Sequence, residues 1–196
     1  MTTRIVVLAS GNGSNLQAII DACEIGALRA QVVGVVSDNP QAFALQRATN
    51  HSITTKIVES SENNRAAFSI NLTSVVNALQ PELVVLAGFM RILSNEFISH
   101  FPNKIINLHP ALPGELPGAN AIARAFDEYA AGIRSHTGVM VHYVPDEGVD
   151  NGPVIATTIV AINASDTLGD LKQRIHAAEH KILISAISQL TKEHTA

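Results

Sequence analysis

The chain carries a single cysteine, Cys23, so neither an intrachain disulfide nor a cysteine-built metal cluster can form. Charge is also scarce. Acidic and basic residues make up 15% of the 196 positions and hydrophobic residues 46%, a balance that fits a globular chain and excludes a disordered one. Basic excess is missing too: thirteen Lys and Arg face seventeen Asp and Glu, a net charge of −4. That excludes wholesale binding of duplex nucleic acid, which takes a basic face to displace counterions. A small anion is still within reach, because a few backbone amides hold one phosphate. Long apolar runs are absent as well. The first, "RIVVLAS" from Arg4, is too short for a signal peptide or a membrane span, so the expected location is cytoplasmic, with no membrane partner. Eight histidines include no HExxH zinc pattern, and no metal is expected. No repeat, low-complexity tract or linker interrupts a length that suits one domain, 1–196.

What is present alternates. "RIVVLAS", "AQVVGVVS", a weaker "ITTKIVE" and "ELVVLAG" read as strands. Between them "SNLQAIIDAC", "AFALQRATN" and "RAAFSINLTSVVNALQ" read as helices. Such alternation predicts an α/β fold, a Rossmann-like and mostly parallel sheet flanked by helices. After Phe101 come a short strand "KIINL", a helix "NAIARAFDEYAAG" and two successive strands, "TGVMVHYV" and "PVIATTIVAI". The loop "PDEGVDNG" between those last two predicts an antiparallel C-terminal extension of the sheet. A final helix is expected from about Thr167 to Leu190, with Leu168, Leu171, Ile175, Ala178, Ile182, Ala186 and Leu190 in one stripe. Thr167 and Asp170 supply its capping signal. The chain divides into two functional halves, 1–100 for phosphate or nucleotide binding and 101–190 for chemistry.

Three segments carry chemistry. "LASGNGSNLQAII" sets Gly11 and Gly13 between the first strand and the first helix, where exposed N–H groups suit a phosphate. It is neither a P-loop nor the full dinucleotide fingerprint, since Leu16 stands where a third glycine belongs. The plainer alternative is a tight turn with Ser14 or Asn12 capping the helix. "INLHP" ends a strand with Asn107 and His109 on the same face and Pro110 as a stop. An amide donor and an imidazole there suit a developing oxyanion and a travelling proton. "VPDEGVDNGP" gathers Asp146, Glu147 and Asp150 in one loop. Acids in such a loop usually decorate a hairpin, but Asp150 is the best anchored and can orient the histidine and keep it protonated. His136 and His142 of "HTGVMVH" read as strand-lining residues, and His176, Glu179 and His180 as neighbours of the polar face of the last helix.

Taken together, "VVLASGNGSNLQAIIDAC", "LVVLAGFMRILS", "INLHP", "HTGVMVHYVPDEGVDNGP" and "AEHK" resemble the folate-dependent formyltransferases of purine synthesis, in their phosphoribosylglycinamide formyltransferase branch. The resemblance runs nearly the full length, with the motifs in order. It implies small-molecule substrates, 10-formyltetrahydrofolate as co-substrate, glycinamide ribonucleotide as acceptor, and a monomer or homodimer. Gly13, Ser14 and Asn15 would bind the acceptor phosphate and Glu179 its ribose. Met90, Arg91, Ile92 and Leu93, with the 145–150 loop that includes Asp146 and Glu147, would hold the pterin, and Arg65 its glutamyl tail. Asn107, His109 and Asp150 would be the catalytic trio, Asp150 keeping His109 protonated. One stretch departs from the family's His-Pro-Ser-Leu-Leu-Pro and its two following histidines: here Ala111, Pro113 and Gly114 are altered, and Asn120 and Ile122 stand at the histidine positions. Three other readings share parts of these motifs: a deformylase using water as acceptor, a tRNA formyltransferase, and a nucleotide-binding module without chemistry. A chain opening directly on its first strand favours the transferase over the deformylase, and the lack of a basic C-terminal extension disfavours the tRNA enzyme.

Overall fold

The computed structural model describes residues 2–59 and 64–193. Among these, seven strands form one sheet: β1 (Thr3–Leu8), β2 (Ala30–Ser37), β3 (Thr55–Ile57), β4 (Leu83–Leu86), β5 (Ile105–His109), β6 (His136–Tyr143) and β7 (Val154–Ala161). Their order is β3-β2-β1-β4-β5-β6-β7. The first five are parallel, while β6 runs against β5 and β7 against β6, so the expected antiparallel extension is observed. The helices are α1 (Ser14–Glu24), α2 (Phe43–Asn50), α3 (Arg65–Ala78), α4 (Asn95–His100), α5 (Ala121–Ala130) and α6 (Leu168–Glu193).

Burial on both sides explains why the central strands read as unbroken apolar runs. Ile5, Val7, Ile106 and Leu108 join one core with α1 and α6. Val6, Leu8, Val84 and Ile105 join another with Phe68 and Leu72 of α3 and Phe97 of α4. Because strand side chains alternate, Asn107 and His109 follow Ile105 toward the α3/α4 face. After β3 the chain returns to the other side of β1, which makes the β1/β4 junction the switch point of the sheet. Open α/β sheets bind ligands outside the carboxyl ends of strands at that junction. The glycine loop after β1, the 88–93 segment after β4 and His109 at the end of β5 all gather there.

Several local expectations need revision. α1 has no side-chain cap: its N-cap is Gly13, at φ 75°, and neither Ser14 nor Asn12 fills that role. The six-residue α4, capped by Ser94 accepting from the Phe97 N–H, was not expected. It is too short to show a periodic pattern. α5 starts at Ala121 because Asn120 sits at φ 59°, outside the helical region. At the start of α6 the capping signal is real: the Thr167 N–H donates to Asp170 Oδ2, and the Asp170 N–H donates to Thr167 Oγ1. Leu171, Ile175, Ile182, Ala186 and Leu190 are buried as the stripe predicts, with Leu168 and Ala178 only half-buried. Leu183 and Ile187 widen that stripe. Glu179 also falls on its buried side. Among the described residues, no helix is long and apolar enough to cross a membrane.

Candidate active site

A cavity of about 490 Å³ opens at the switch point. One end is made by Asn15 of α1, with the glycine loop behind it, and by His176 and Glu179 of α6. The left-handed conformation of Gly13 frees the first N–H groups of α1, and the chain there lies so close to α2 that a Cβ on Gly13 would sit 2.7 Å from that of Ala44. Arg47 steadies the loop from α2, donating from Nε to the Asn12 carbonyl at 2.9 Å and from Nη2 to Asn12 Oδ1 at 3.1 Å. Asn15 donates to Glu179 Oε2 at 3.3 Å, and the same oxygen lies 2.7 Å from His176 Nδ1. The bond to Glu179 holds the His176 imidazole above its ordinary pKa despite partial burial. Asn15 Oδ1 is buried with no protein partner, an acceptor left for a ligand donor. Asn15 and Glu179 line the cavity; Gly13 and Ser14 stand behind it in the loop rather than in its wall.

The opposite end is apolar and open. Met90 and Ile92, 66% and 56% exposed, border the cavity and give this end an apolar face. Leu93, although it borders the cavity, is buried in the α3/α4 core. The Arg91 side chain turns away to Asp38, donating from Nε at 2.7 Å. Glu147 accepts from the Asn95 N–H and from Arg65 Nη2, at 2.8 Å and 2.6 Å. These two bonds, the backbone one first, hold its carboxyl below the usual range. Arg65 therefore reaches the rim through Glu147 and is not itself part of the wall. The β6–β7 loop carrying Asp146, Glu147 and Asp150 folds back over the α3/α4 face. That return needs Gly152, where any side chain would strike the Tyr143 carbonyl.

Between the two ends lie Asn107, His109 and Asp150. Asn107 Nδ2 donates to Asp150 Oδ1 at 2.9 Å, and Asp150 Oδ2 lies 3.2 Å from His109 Nδ1. The Gly118 N–H donates to the same Oδ2 at 2.8 Å. One carboxylate thus ties the amide to the imidazole, an arrangement for which strand spacing supplied two members and the loop the third. Asp150 holds φ 53°, a left-handed conformation that Asp tolerates better than most residues.

His142, which the sequence reading left as a strand-lining residue, completes the group. It pairs directly with Asn107 across the β5–β6 register, and it is buried. Its Nδ1 faces the Tyr143 carbonyl at 2.8 Å, so that nitrogen carries the proton and Nε2 is left as an acceptor for Asn107 Nδ2 at 3.1 Å. Nothing in the spacing "HTGVMVH" signals this. Only the antiparallel register opposite "INLHP" does.

The electrostatics of the empty site bear on one expectation, that Asp150 keeps His109 protonated. His109 is 4% exposed, and burial is the largest influence on its pKa, driving it below the ordinary histidine value. Asp150 and the Leu116 carbonyl push the other way, and His142 and Arg124 add to the depression. In the empty site the cost of taking an imidazolium out of water thus works against the neighbouring carboxylate, and the net direction for His109 is downward. Burial also works to raise the Asp150 carboxyl, but its contact with His142 and the bond from the Gly118 N–H outweigh this and keep it below its usual range. With the Asp150 carboxylate at Nδ1 and the Leu116 carbonyl 3.1 Å from Nε2, each ring nitrogen of His109 faces an acceptor, so Nε2 serves as a base only once it is released from that carbonyl. Among the described residues, no group of three or more His, Cys, Asp or Glu is placed to hold a metal ion.

Comparison with known proteins gives concordant results. The formyl transferase family model matches residues 3–187. Over 205 residues the chain is 41% identical to a phosphoribosylglycinamide formyltransferase of Dictyostelium discoideum, covering 97% of this chain and 99% of that one. It is 42% identical to the Escherichia coli enzyme of the same name over 185 residues, covering 94% and 85% of the two. Among solved structures, glycinamide ribonucleotide transformylase 1 from Symbiobacterium toebii superposes with a TM-score of 0.91 at 36% identity, over 98% of this chain and 89% of that one. A phosphoribosylglycinamide formyltransferase from Coxiella burnetii, in complex with CHES, does so with a TM-score of 0.88 at 41% identity, over 96% and 86%.

Proposed function

The chain belongs to the formyl transferase family, as an enzyme of its phosphoribosylglycinamide formyltransferase branch, and we propose that it moves the formyl group of 10-formyltetrahydrofolate to the amine of glycinamide ribonucleotide by a proton relay through His109. The carrying observation is the Asp150 carboxylate, which bridges Asn107 and His109 midway between a phosphate-suited loop and an open apolar wall. The phosphate of the acceptor docks on the N–H groups of Gly13, Ser14 and Asn15, and Glu179 with Asn15 receives its ribose hydroxyls. The pterin lies along Met90 to Leu93 and the 145–150 loop, with Arg65 at the tail end.

The amine attacks the formyl carbon, a C–N bond forms, and the carbonyl oxygen becomes an oxyanion. Asn107 stabilises it with the hydrogen now directed at His142. Of its two acceptors that is the weaker, since the other is the charged Asp150. Nε2 of His109, released from the Leu116 carbonyl, takes the proton that the attacking nitrogen must lose. The imidazolium so formed is stabilised by Asp150, then returns the proton to the departing folate nitrogen as its bond to the formyl carbon breaks. Asp150 thus acts on the transition state and not on the resting enzyme. Removing one oxyanion donor from such a site costs about 3 kcal/mol, roughly a hundredfold or more in rate.

The direct experiment is tetrahydrofolate release measured with and without glycinamide ribonucleotide. Turnover that requires the amine supports the proposal. Undiminished release without it would make the protein a hydrolase, and transfer to methionyl-tRNA would make it the other transferase.

A further inference from the structure

The segment that departs most from the family pattern folds directly onto the catalytic pair. The Leu116 carbonyl lies 3.1 Å from His109 Nε2 and also accepts from Arg124 Nη2 at 2.8 Å. The same Nη2 donates to the Pro117 carbonyl at 2.6 Å, and the buried Nε of Arg124 has no protein partner. Two residues further on, Gly118 donates to Asp150. The backbone 116–118 is therefore one strap, joined to His109 at one end and to its carboxylate at the other. Leu116 holds φ 47° and Gly118 φ 79°. Leu116 pays backbone strain to aim its carbonyl at the imidazole, and something must offset it. Its apolar side chain is buried with Ala111, Ala121 and Ala125, which anchors the strap but does not orient the carbonyl.

We propose that Arg124 is a positioning residue for His109, acting through the Leu116 carbonyl that the two side chains share. The inference rests on the reading of His109 as the proton carrier. A carbonyl that already accepts from a guanidinium is a weaker partner for an imidazole N–H, so it releases Nε2 to the substrate more readily. The one Nη2 also fixes two successive carbonyls at once, and with them the place of the ring. The ionisable groups that face His109 are Asp150 from the β6–β7 loop, His142 from β6 and Arg124 from α5. Of these only Arg124 is a permanent cation. Removing the cation shifts the His109 titration in either case, but a loop staple with no part in the reaction would leave kcat on the pH plateau unchanged when removed.

Arg124→Gln keeps an amide donor for the carbonyl and removes the charge. Arg124→Lys keeps the charge and replaces the planar guanidinium, with its fixed Nη2, by a flexible ammonium. For both, kcat, the two KM values, the melting temperature and the His109 titration by NMR are to be compared with the parent enzyme, with His109→Ala identifying the signal. The expected result for the Gln variant is a kcat lower by about tenfold or more, as small misplacements of a reacting group produce, with KM values within about twofold. Its His109 titration, and the limb of the kcat–pH profile that reports it, should move to higher pH. The Lys variant should also lose kcat, with a smaller pH displacement, and it carries the test if the Gln variant does not fold. Parental kcat on the pH plateau in the folded variants overturns the proposal, as does a kcat loss that tracks the melting temperature with the titration unmoved. If His109→Ala itself keeps parental kcat, it is the reading of His109 that fails.

Discussion

The Asp150 carboxylate lies 3.2 Å from His109 Nδ1, yet the imidazole is less basic than a free histidine because burial outweighs that charge. A pair so arranged is poised to accept a proton during the reaction, not to hold one beforehand. This separates the resting state from the transition state, and it sets the direction of the pH effects predicted here.

At the acceptor end, Gly13→Val should raise KM for glycinamide ribonucleotide by at least about tenfold. A β-branched residue at φ 75° is strained, and its Cβ would meet Ala44. KM for 10-formyltetrahydrofolate should change far less. Steady-state kinetics with each substrate varied checks this, and equal weakening of both would remove the loop from the phosphate.

His142→Ala should lower kcat about ten- to a hundredfold, with both KM values little changed. It takes away the acceptor that orients the Asn107 amide, and an unpaired buried group costs about 1–3 kcal/mol. His142→Gln, which offers a carbonyl oxygen in a similar place, should recover part of the loss. The comparison of the two variants is the check.

Cys23 should be inert. Burial foremost, with the charge of Glu24, pushes its thiol up to about 11. At pH 8 only about one thiol in a thousand would be ionised. Modification by a chromogenic disulfide should be slow in the folded enzyme and speed up in denaturant.

Much of this architecture is legible in the sequence, because strands buried on both faces leave unbroken apolar runs and "VVLAG" or "IVVLAS" cannot be mistaken for surface. That Asn107, His109 and Asp150 lie together is legible for two reasons: strand spacing puts the first two on one face, and a glycine-flanked acidic loop delivers the third. The role of His142 was not legible, since it depends on an antiparallel register that joins residues 35 positions apart. Nor was the charge state of His109. Neighbouring residues can be named from a motif, but the depth of burial that outweighs them is a property of the whole packed fold. α4 escaped notice because six residues cannot display a helical period.

The most direct test is kcat against pH for the parent enzyme and Asp150→Asn. In the proposed relay the rising limb reports His109 losing its proton to become the base. Asp150 raises that pKa, so removing its charge should move the limb to lower pH. The plateau should fall at least about a hundredfold, because the imidazolium formed in the transition state loses its counter-charge and the tautomer is no longer fixed. Both KM values should stay within a few-fold. A limb displaced to lower pH over a collapsed plateau is the predicted result; near-parental turnover with an unmoved limb would contradict it.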